Sequence, residues 1–576
     1  MRIWHRDATA APPRPWRAMA RADSLWYAGA VATGAALILV TAIKQPFNQN
    51  ELAQIGPYGS DSLSTVTSGT RQPPLDPLLG ALVQHLLGEG QLRQRLVPVA
   101  AGIATLVVMG LLLRRLGLGL AGAFGLWLMA TAPLMVRYSA YTRPYAVPLF
   151  LMVLFTFAAV RWLDLRSRAW LAVAALAAVA LPLSRVPEPI AFLLTTMVTL
   201  SWLCWRGRLA WRQAWPLIVI PGVALALVGY PMFRSLKASV SGYYDPSAAG
   251  VFDRFPYGAH EIVTGLLPLL AAWLPWWPVT LLVLGACLAI PASRRLLARW
   301  WFVWPLLVAP VVFALAYHFV APIDFTRLPY RSRAAMFFIP AYVLVVAALA
   351  SAVVDALRWG PRLRVALGAL LAAALIGQLP ATAGALLHDD SPDFSRAGDM
   401  IDATVPADGL VLYDRPAGPE DDHMGFLARG RYLEHPGQVV EIGFLAHEPR
   451  RLPDGRIYLL VNGQCTPGSC GTQPVAWDHD IAGWRLVSQF RQFTLYAPSD
   501  GQSGQEGAIA ALTSFGDALG PELGFRETFA AAALLKREGR RSEGAALVEQ
   551  MYMAADRETA AYIRAAAQLR GLDPFR

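Results

Sequence analysis

The chain has 576 residues, of which 55% are hydrophobic, and a mean hydropathy of +0.40. That is too apolar for a soluble globular protein, and runs of about 18 or more apolar residues recur, as in membrane-spanning helices. The net charge of +10 is almost all arginine dispersed among short loops, with lysine only at Lys44, Lys237 and Lys536, which sets nucleic acid aside as a partner.

Residues 1–23 form a tail carrying Arg2, Arg6, Arg14, Arg17 and Arg21, expected in the cytoplasm. Apolar windows then predict spans at 24–43, 96–113, 118–136, 145–162, 169–184, 189–205, 214–232, 262–292, 300–321, 334–355 and 365–384. Counting the proline-marked run 262–292 as one crossing gives about 11 transmembrane helices. The first is read as an uncleaved span, because it lacks a small-x-small cleavage site. Every second short loop is basic: Arg114–Arg115, Arg161/Arg166/Arg168, Arg206/Arg208/Arg212, Arg294/Arg295/Arg299 and Arg358/Arg362/Arg364. The positive-inside rule places these loops and the N-terminus in the cytoplasm, and everything after residue 385 outside.

The cytoplasmic loops are too short to fold a nucleotide-binding domain, and no phosphate-cradling glycine motif sits between a strand and a helix. ATP-driven transport and transfer from a cytosolic nucleotide sugar are therefore not expected. Chemistry, if present, belongs at the outer face. The external loops hold Glu51, Asp61, Asp76, Arg137, Arg143, Arg185, Glu188, Arg327, Arg331 and Arg333, among others. Arginines on the side that topology disfavours call for an anionic partner. The alternative for Arg137, Tyr141 and Arg143 is interfacial anchoring. Arg185 and Glu188 share a tight turn and read as a local ion pair. His260 has no second histidine to make a metal site, and "WLPWW" near 273–277 reads as an aromatic belt.

In the first external loop, 44–95, Leu75, Leu78, Leu79, Leu82 and Leu86 repeat at helical spacing behind Pro73–Pro74. The pattern predicts a short amphipathic helix in the membrane interface, pressing the Glu51–Asp61 segment towards the bilayer.

Three stretches now combine: an acidic residue soon after span one with a later "PPL" before an interfacial helix, "YSAYTRPYAVPLFLMVL" at 138–154, and "RLPYRSRAAMFFIPAYVLV" at 327–345. Together, over roughly residues 24–384, they resemble the polytopic GT-C membrane glycosyltransferases of the protein-mannosyltransferase and aminoarabinose-transferase kind (glycosyltransferase family 39-like). The resemblance implies transfer of a sugar from a polyprenyl-phosphate donor to an envelope glycan, lipid or protein acceptor at the outer face of a bacterial membrane. It implies that a carboxylate of the first external loop is the general base, Glu51 first and Asp61 second. Arg137, Tyr141, Arg143, Arg327, Arg331 and Arg333 would then hold the donor phosphate. Two positions depart from the pattern: Asn50 stands where an acid is common, and Gln72 where the aminoarabinose transferases have lysine; both are expected at the substrate. No cofactor and no metal are expected.

From residue 386 the composition changes. "FSRAGDMIDATVPADGLVLYD" (394–414) predicts a helix, a turn and a buried strand, "RIYLLVNG" (456–463) a strand, and "WRLVSQFRQFTLYAP" (484–498) a strand pair or one long strand. These make a small extracytoplasmic α/β domain over 386–498, followed by a flexible linker at 499–507 and three or four short helices over 508–576. Cys465 and Cys470, in a Gly/Pro-rich loop, lack zinc-ligand spacing and are expected to form a short-loop disulfide outside the cytoplasm. A lipid flippase or transporter and a non-catalytic envelope scaffold are the competing readings.

Overall fold

In the computed structural model the described residues are 21–45, 47, 51, 54–60, 62–69, 73–232, 285–287, 289–309, 336–356, 376–377, 379–380, 382–383, 386, 394–414, 438–442, 445, 449, 451–462, 481, 483–490, 493–499, 503–521 and 524–572. They fall into two compact units, one of 1–45 with 53–388 and one of 46–52 with 389–576.

The first unit is helical. Its elements are α1 (Arg21–Lys44), α2 (Leu63–Gly69), α3 (Leu75–Leu87), α4 (Gln91–Gln94), α5 (Leu96–Arg115), α6 (Gly119–Ala130), α7 (Pro133–Ser139), α8 (Ala146–Leu165), α9 (Arg168–Ser184), α10 (Pro187–Trp205), α11 (Trp211–Ala224), α12 (Pro291–Arg299) and α13 (Ile339–Ala356). Five of the described helices are long and apolar enough to cross a membrane, or six if the bent pair α6–α7 is one span. This is a multi-pass membrane protein. The first seven expected segments each coincide with helix, whereas most of 262–292, 310–335 and 357–375 lies outside the described residues.

The bend of 56° between α6 and α7 has a local cause. Pro133 opens α7 and has no N–H to continue the ladder. The carbonyl of Thr131, at the break, accepts a hydrogen bond from Thr382 Oγ1 at 2.6 Å, so it does not stay bare in a dry interior. Small residues then let helices approach: a Cβ on Gly102 of α5 would stand 2.4 Å from Ser139 at the end of α7. Pro216 and Pro221 interrupt α11, and the π-helical turn Leu225–Gly229 follows them.

The second unit contains α14 (Phe394–Thr404), then β1 (Leu410–Asp414), β2 (Val439–Glu441), β3 (Ile457–Asn462), β4 (Trp484–Phe490) and β5 (Phe493–Pro498). The strands form one mixed sheet in the order β2-β1-β3-β5-β4. β1 pairs in parallel with β2 and β3, and β5 pairs antiparallel with β3 and β4. The inner strands read as near-continuous apolar runs because both of their faces are buried. Segment 484–498 is therefore a strand pair.

Four helices follow: α15 (Gly504–Leu519), α16 (Phe525–Arg537), α17 (Arg541–Ala554) and α18 (Arg557–Arg570). Within the segment 499–507, expected as a flexible linker, Ser503–Gly507 is instead tied into the fold. Ser503 bridges to Arg456, the Gly504 amide donates to the Gly455 carbonyl at 3.0 Å, and α15 starts at Gly504. Ala508, Leu512 and Phe515 of α15 share one apolar core with Leu412, Leu459 and Val461 of the sheet.

Candidate functional site

The loop between α1 and α5 is anchored at both ends. The last carbonyls of α1 have no partner within the helix. Arg95, fully buried, donates to the carbonyls of Ala42 at 2.9 Å and Gln45 at 2.5 Å. Gln91 Nε2 adds bonds to the Ile43 carbonyl at 3.0 Å and to that of Gln45. A guanidinium at a helix C-terminus also complements the helix dipole.

Within the loop, α3 carries a buried polar stripe. Asp76, Gly80 and Gln84 lie at i, i+4 and i+8, which puts them on one face of the helix, and all three are buried. The apolar face points the other way, with Leu82 53% and Leu86 72% exposed. Polar inside and leucine outside suits a helix whose outer surroundings are lipid, as the expected interfacial helix requires.

The stripe is matched residue by residue. The 3₁₀ turn Gly56–Gly59 lays Tyr58 across Gly80, where a Cβ would come within 2.3 Å of the ring. Gln54 Nε2 donates to Tyr58 Oη at 3.1 Å and to the Asp76 carboxylate. Gln94 Nε2 donates to Gln84 Oε1 at 2.7 Å, and the Gln94 carbonyl accepts from Thr142 Oγ1 at 3.1 Å. That last bond ties the first loop to the turn between α7 and α8.

The turn is tight. The Arg143 amide donates to the Tyr141 carbonyl at 2.8 Å and the Tyr145 amide to the Arg143 carbonyl at 2.7 Å. Arg137 Nε donates to Tyr141 Oη at 2.8 Å, with its guanidinium 5.5 Å from the ring centre. The Arg185 guanidinium lies 4.8 Å from the Tyr145 ring centre and pairs with Glu188 at 2.6 Å, the expected local ion pair.

Asp76 is 2% exposed. Burial pushes its carboxyl up to about 6, against the Gln54 hydrogen bond and the positive charge of Arg143, which both favour ionisation. Its Oδ1 and the Gln54 Oε1 are buried with no hydrogen-bond partner among the described residues. The structure thus brings a carboxyl of the segment between α1 and α5 and a guanidinium of the turn between α7 and α8 into one electrostatically coupled cluster.

Of the residues singled out in the sequence, Arg137, Tyr141 and Arg143 share the turn just described. Glu51 is fully buried and belongs to the second unit. Asn50, Asp61, Gln72, Arg327, Arg331, Arg333, Cys465 and Cys470 lie outside the described residues. Sequence reading overlooked Gln54, Asp76 and Arg95 as site residues. The spacing Asp76–Gly80–Gln84 within a leucine-rich helix was the available signal. Among the described residues no group of three or more His, Cys, Asp or Glu could hold a metal ion.

No protein-family model matches the chain, and no curated protein matches it in sequence. Solved structures similar to it include ArnT from Cupriavidus metallidurans in the apo state, at 15% identity and a TM-score of 0.48, over 83% of this chain and 98% of that one. The same protein bound to undecaprenyl phosphate gives 15%, 0.48, 82% and 98%. The archaeal oligosaccharyltransferase AglB from Archaeoglobus fulgidus, in complex with an inhibitory peptide and a dolichol-phosphate, gives 12% and 0.43 over 77% of this chain and 70% of that one. These similarities assign no role to any residue of this chain.

Proposed function

We propose that the chain transfers a sugar from a polyprenyl-phosphate donor to an envelope glycan, lipid or protein at the outer face of the membrane. The observation that supports this reading is the buried polar cluster of the segment between α1 and α5, coupled through Asp76 to Arg143 in the turn between α7 and α8. A chain in lipid keeps ionisable groups buried at such a place for function, since burial costs stability.

In the proposed reaction an acceptor hydroxyl attacks the anomeric carbon of the donor sugar. Its proton passes to Glu51, the new glycosidic bond forms, and the bond from the anomeric carbon to the phosphate oxygen breaks. Polyprenyl phosphate leaves with the electron pair, and the added negative charge is met by Arg143, with Arg137 and the arginines at 327, 331 and 333. Asp61 is the second choice as base. A transporter would instead keep charges near the middle of its spans. The buried charges of this unit, such as Asp76, Arg95 and Glu188, sit at helix ends.

Mass spectrometry of lipid-linked sugars and envelope glycans from a deletion strain tests the assignment. The expected result is loss of one sugar from an envelope component together with accumulation of the matching polyprenyl-phosphate sugar. An unchanged profile of both would refute it.

A further inference from the structure

Two buried acceptor atoms, Asp76 Oδ1 and Gln54 Oε1, have no donor among the described residues. In each group the other polar atom, Asp76 Oδ2 and Gln54 Nε2, is already engaged. Gln54 Nε2 is held by Asp76 Oδ2 and Tyr58 Oη, which fixes the amide and leaves Oε1 turned away from those bonds. A buried acceptor left bare costs as much free energy as a lost hydrogen bond, and native proteins rarely leave two side by side. Gly80 and Tyr58 already close the contact between α3 and the 3₁₀ turn.

The missing partner must donate hydrogen bonds. That excludes the phosphate of a lipid-linked donor, which is itself an anionic acceptor and would be repelled by the carboxylate. It fits the hydroxyl of a sugar. The neighbouring charge specifies which part of the donor is near. Arg143, coupled to Asp76, is the residue expected to meet the phosphate. In a polyprenyl-phosphate sugar the phosphate is bonded directly to the ring, so a group that reads ring hydroxyls has to stand beside the group that holds the phosphate.

We propose that Asp76 and Gln54 form a hydroxyl-reading subsite for the sugar of the lipid-phosphate donor, so that this pair, and Asp76 above all, determines which sugar is accepted. The inference rests on the donor class proposed above and adds to it a specificity-determining residue distinct from the base. A hydroxyl has one proton to give: donated to Asp76 Oδ1 it makes a hydrogen bond to a carboxylate, the stronger kind, and an adjacent ring hydroxyl can donate to Gln54 Oε1. A site built to bond a hydroxyl rejects the analogue lacking it, because its own polar atoms are then left unpaired.

Binding of defined donors to the purified full chain in lipid nanodiscs tests this without knowledge of the acceptor. The probes are undecaprenyl phosphate alone, its glucose, mannose and galactose derivatives, and the single-deoxy forms of whichever derivative binds tightest. For the wild type, removal of one particular hydroxyl should weaken binding about 10- to 100-fold. Asp76→Asn should weaken the parent donor by a comparable factor, yet show no further loss with that deoxy donor. Undecaprenyl phosphate alone should bind the variant no more weakly than the wild type, because the substitution also removes the carboxylate's repulsion of the phosphate. Gln54→Leu, which keeps the carboxylate, should show a smaller effect of the same pattern. Multiplicative losses, or equal weakening of the sugar-free lipid phosphate, would mean that a buried water or a structural role accounts for the two oxygens, and the subsite would be rejected. Failure of every glycosylated lipid phosphate to bind the wild type is a different result. It would reject the donor class itself, and the subsite with it.

Discussion

Replacing Asp76 by Asn should make the protein more stable at neutral pH, and the size of the gain follows from the burial of this carboxyl. An ordinary aspartate titrates at 3.8, whereas Asp76 is pushed up to about 6. Each factor of ten in proton affinity corresponds to about 1.4 kcal/mol, so the ionised form carries a penalty of about 3 kcal/mol in the fold. The sign follows from proton binding. Between about pH 4 and 6 the folded state holds a proton that the unfolded state has released, so stability declines as pH rises through that window and stays lower above it. Asn keeps the shape and cannot ionise. Denaturant unfolding of the solubilised protein should therefore show Asp76→Asn within about 1 kcal/mol of wild type near pH 4.5 and about 2–3 kcal/mol more stable near pH 8. Loss of stability at the higher pH, or a difference that ignores pH, would refute the reasoning.

Gly80→Ala should destabilise the first unit by about 1–3 kcal/mol, because the added Cβ meets the Tyr58 ring; the double variant with Tyr58→Ala should recover part of the loss in the same unfolding assay. A reporter enzyme fused after residue 390 should be active outside the cytoplasm and one fused after Gly207 inside it, and the opposite result would place the first loop on the wrong side for a lipid-linked donor. Thiol labelling of unfolded, unreduced protein should leave Cys465 and Cys470 unmodified, and full labelling of both would dispose of the disulfide.

The membrane helices were legible because lipid demands about 20 apolar residues per crossing, a signal that survives without any knowledge of partners. The same physics made β1 and β3 legible, since strands buried on both faces read as near-continuous apolar runs. What the sequence left unread was the buried face of α3. In α3 the leucines at 75, 78, 79, 82 and 86 set the visible period, and their face is the outer one, at Leu82 and Leu86 most clearly. The residues that matter inside, Asp76 and Gln84, are the ones a soluble protein would have exposed. Arg95 was hidden for a related reason: a charge at the end of an apolar run reads as the edge of a span, whereas its guanidinium closes the end of α1. The segment 499–507 was read from its Gly, Ser and Gln content as a linker, although Ser503 and Glu506 have the spacing of a helix start.

The central claim is sugar transfer assisted by a carboxylate of the first external loop, and turnover of the Glu51→Gln protein tests it most directly. Release of undecaprenyl phosphate from an undecaprenyl-phosphate sugar is followed with envelope extract of the deletion strain as acceptor, for wild type, Glu51→Gln and Asp61→Asn. The account predicts that Glu51→Gln inserts normally, still binds donor and turns over about 10²–10⁴ times more slowly, the usual contribution of a positioned general base. An inactive Asp61→Asn beside a near-normal Glu51→Gln would move the base to Asp61. Near-normal turnover in both variants would contradict the mechanism.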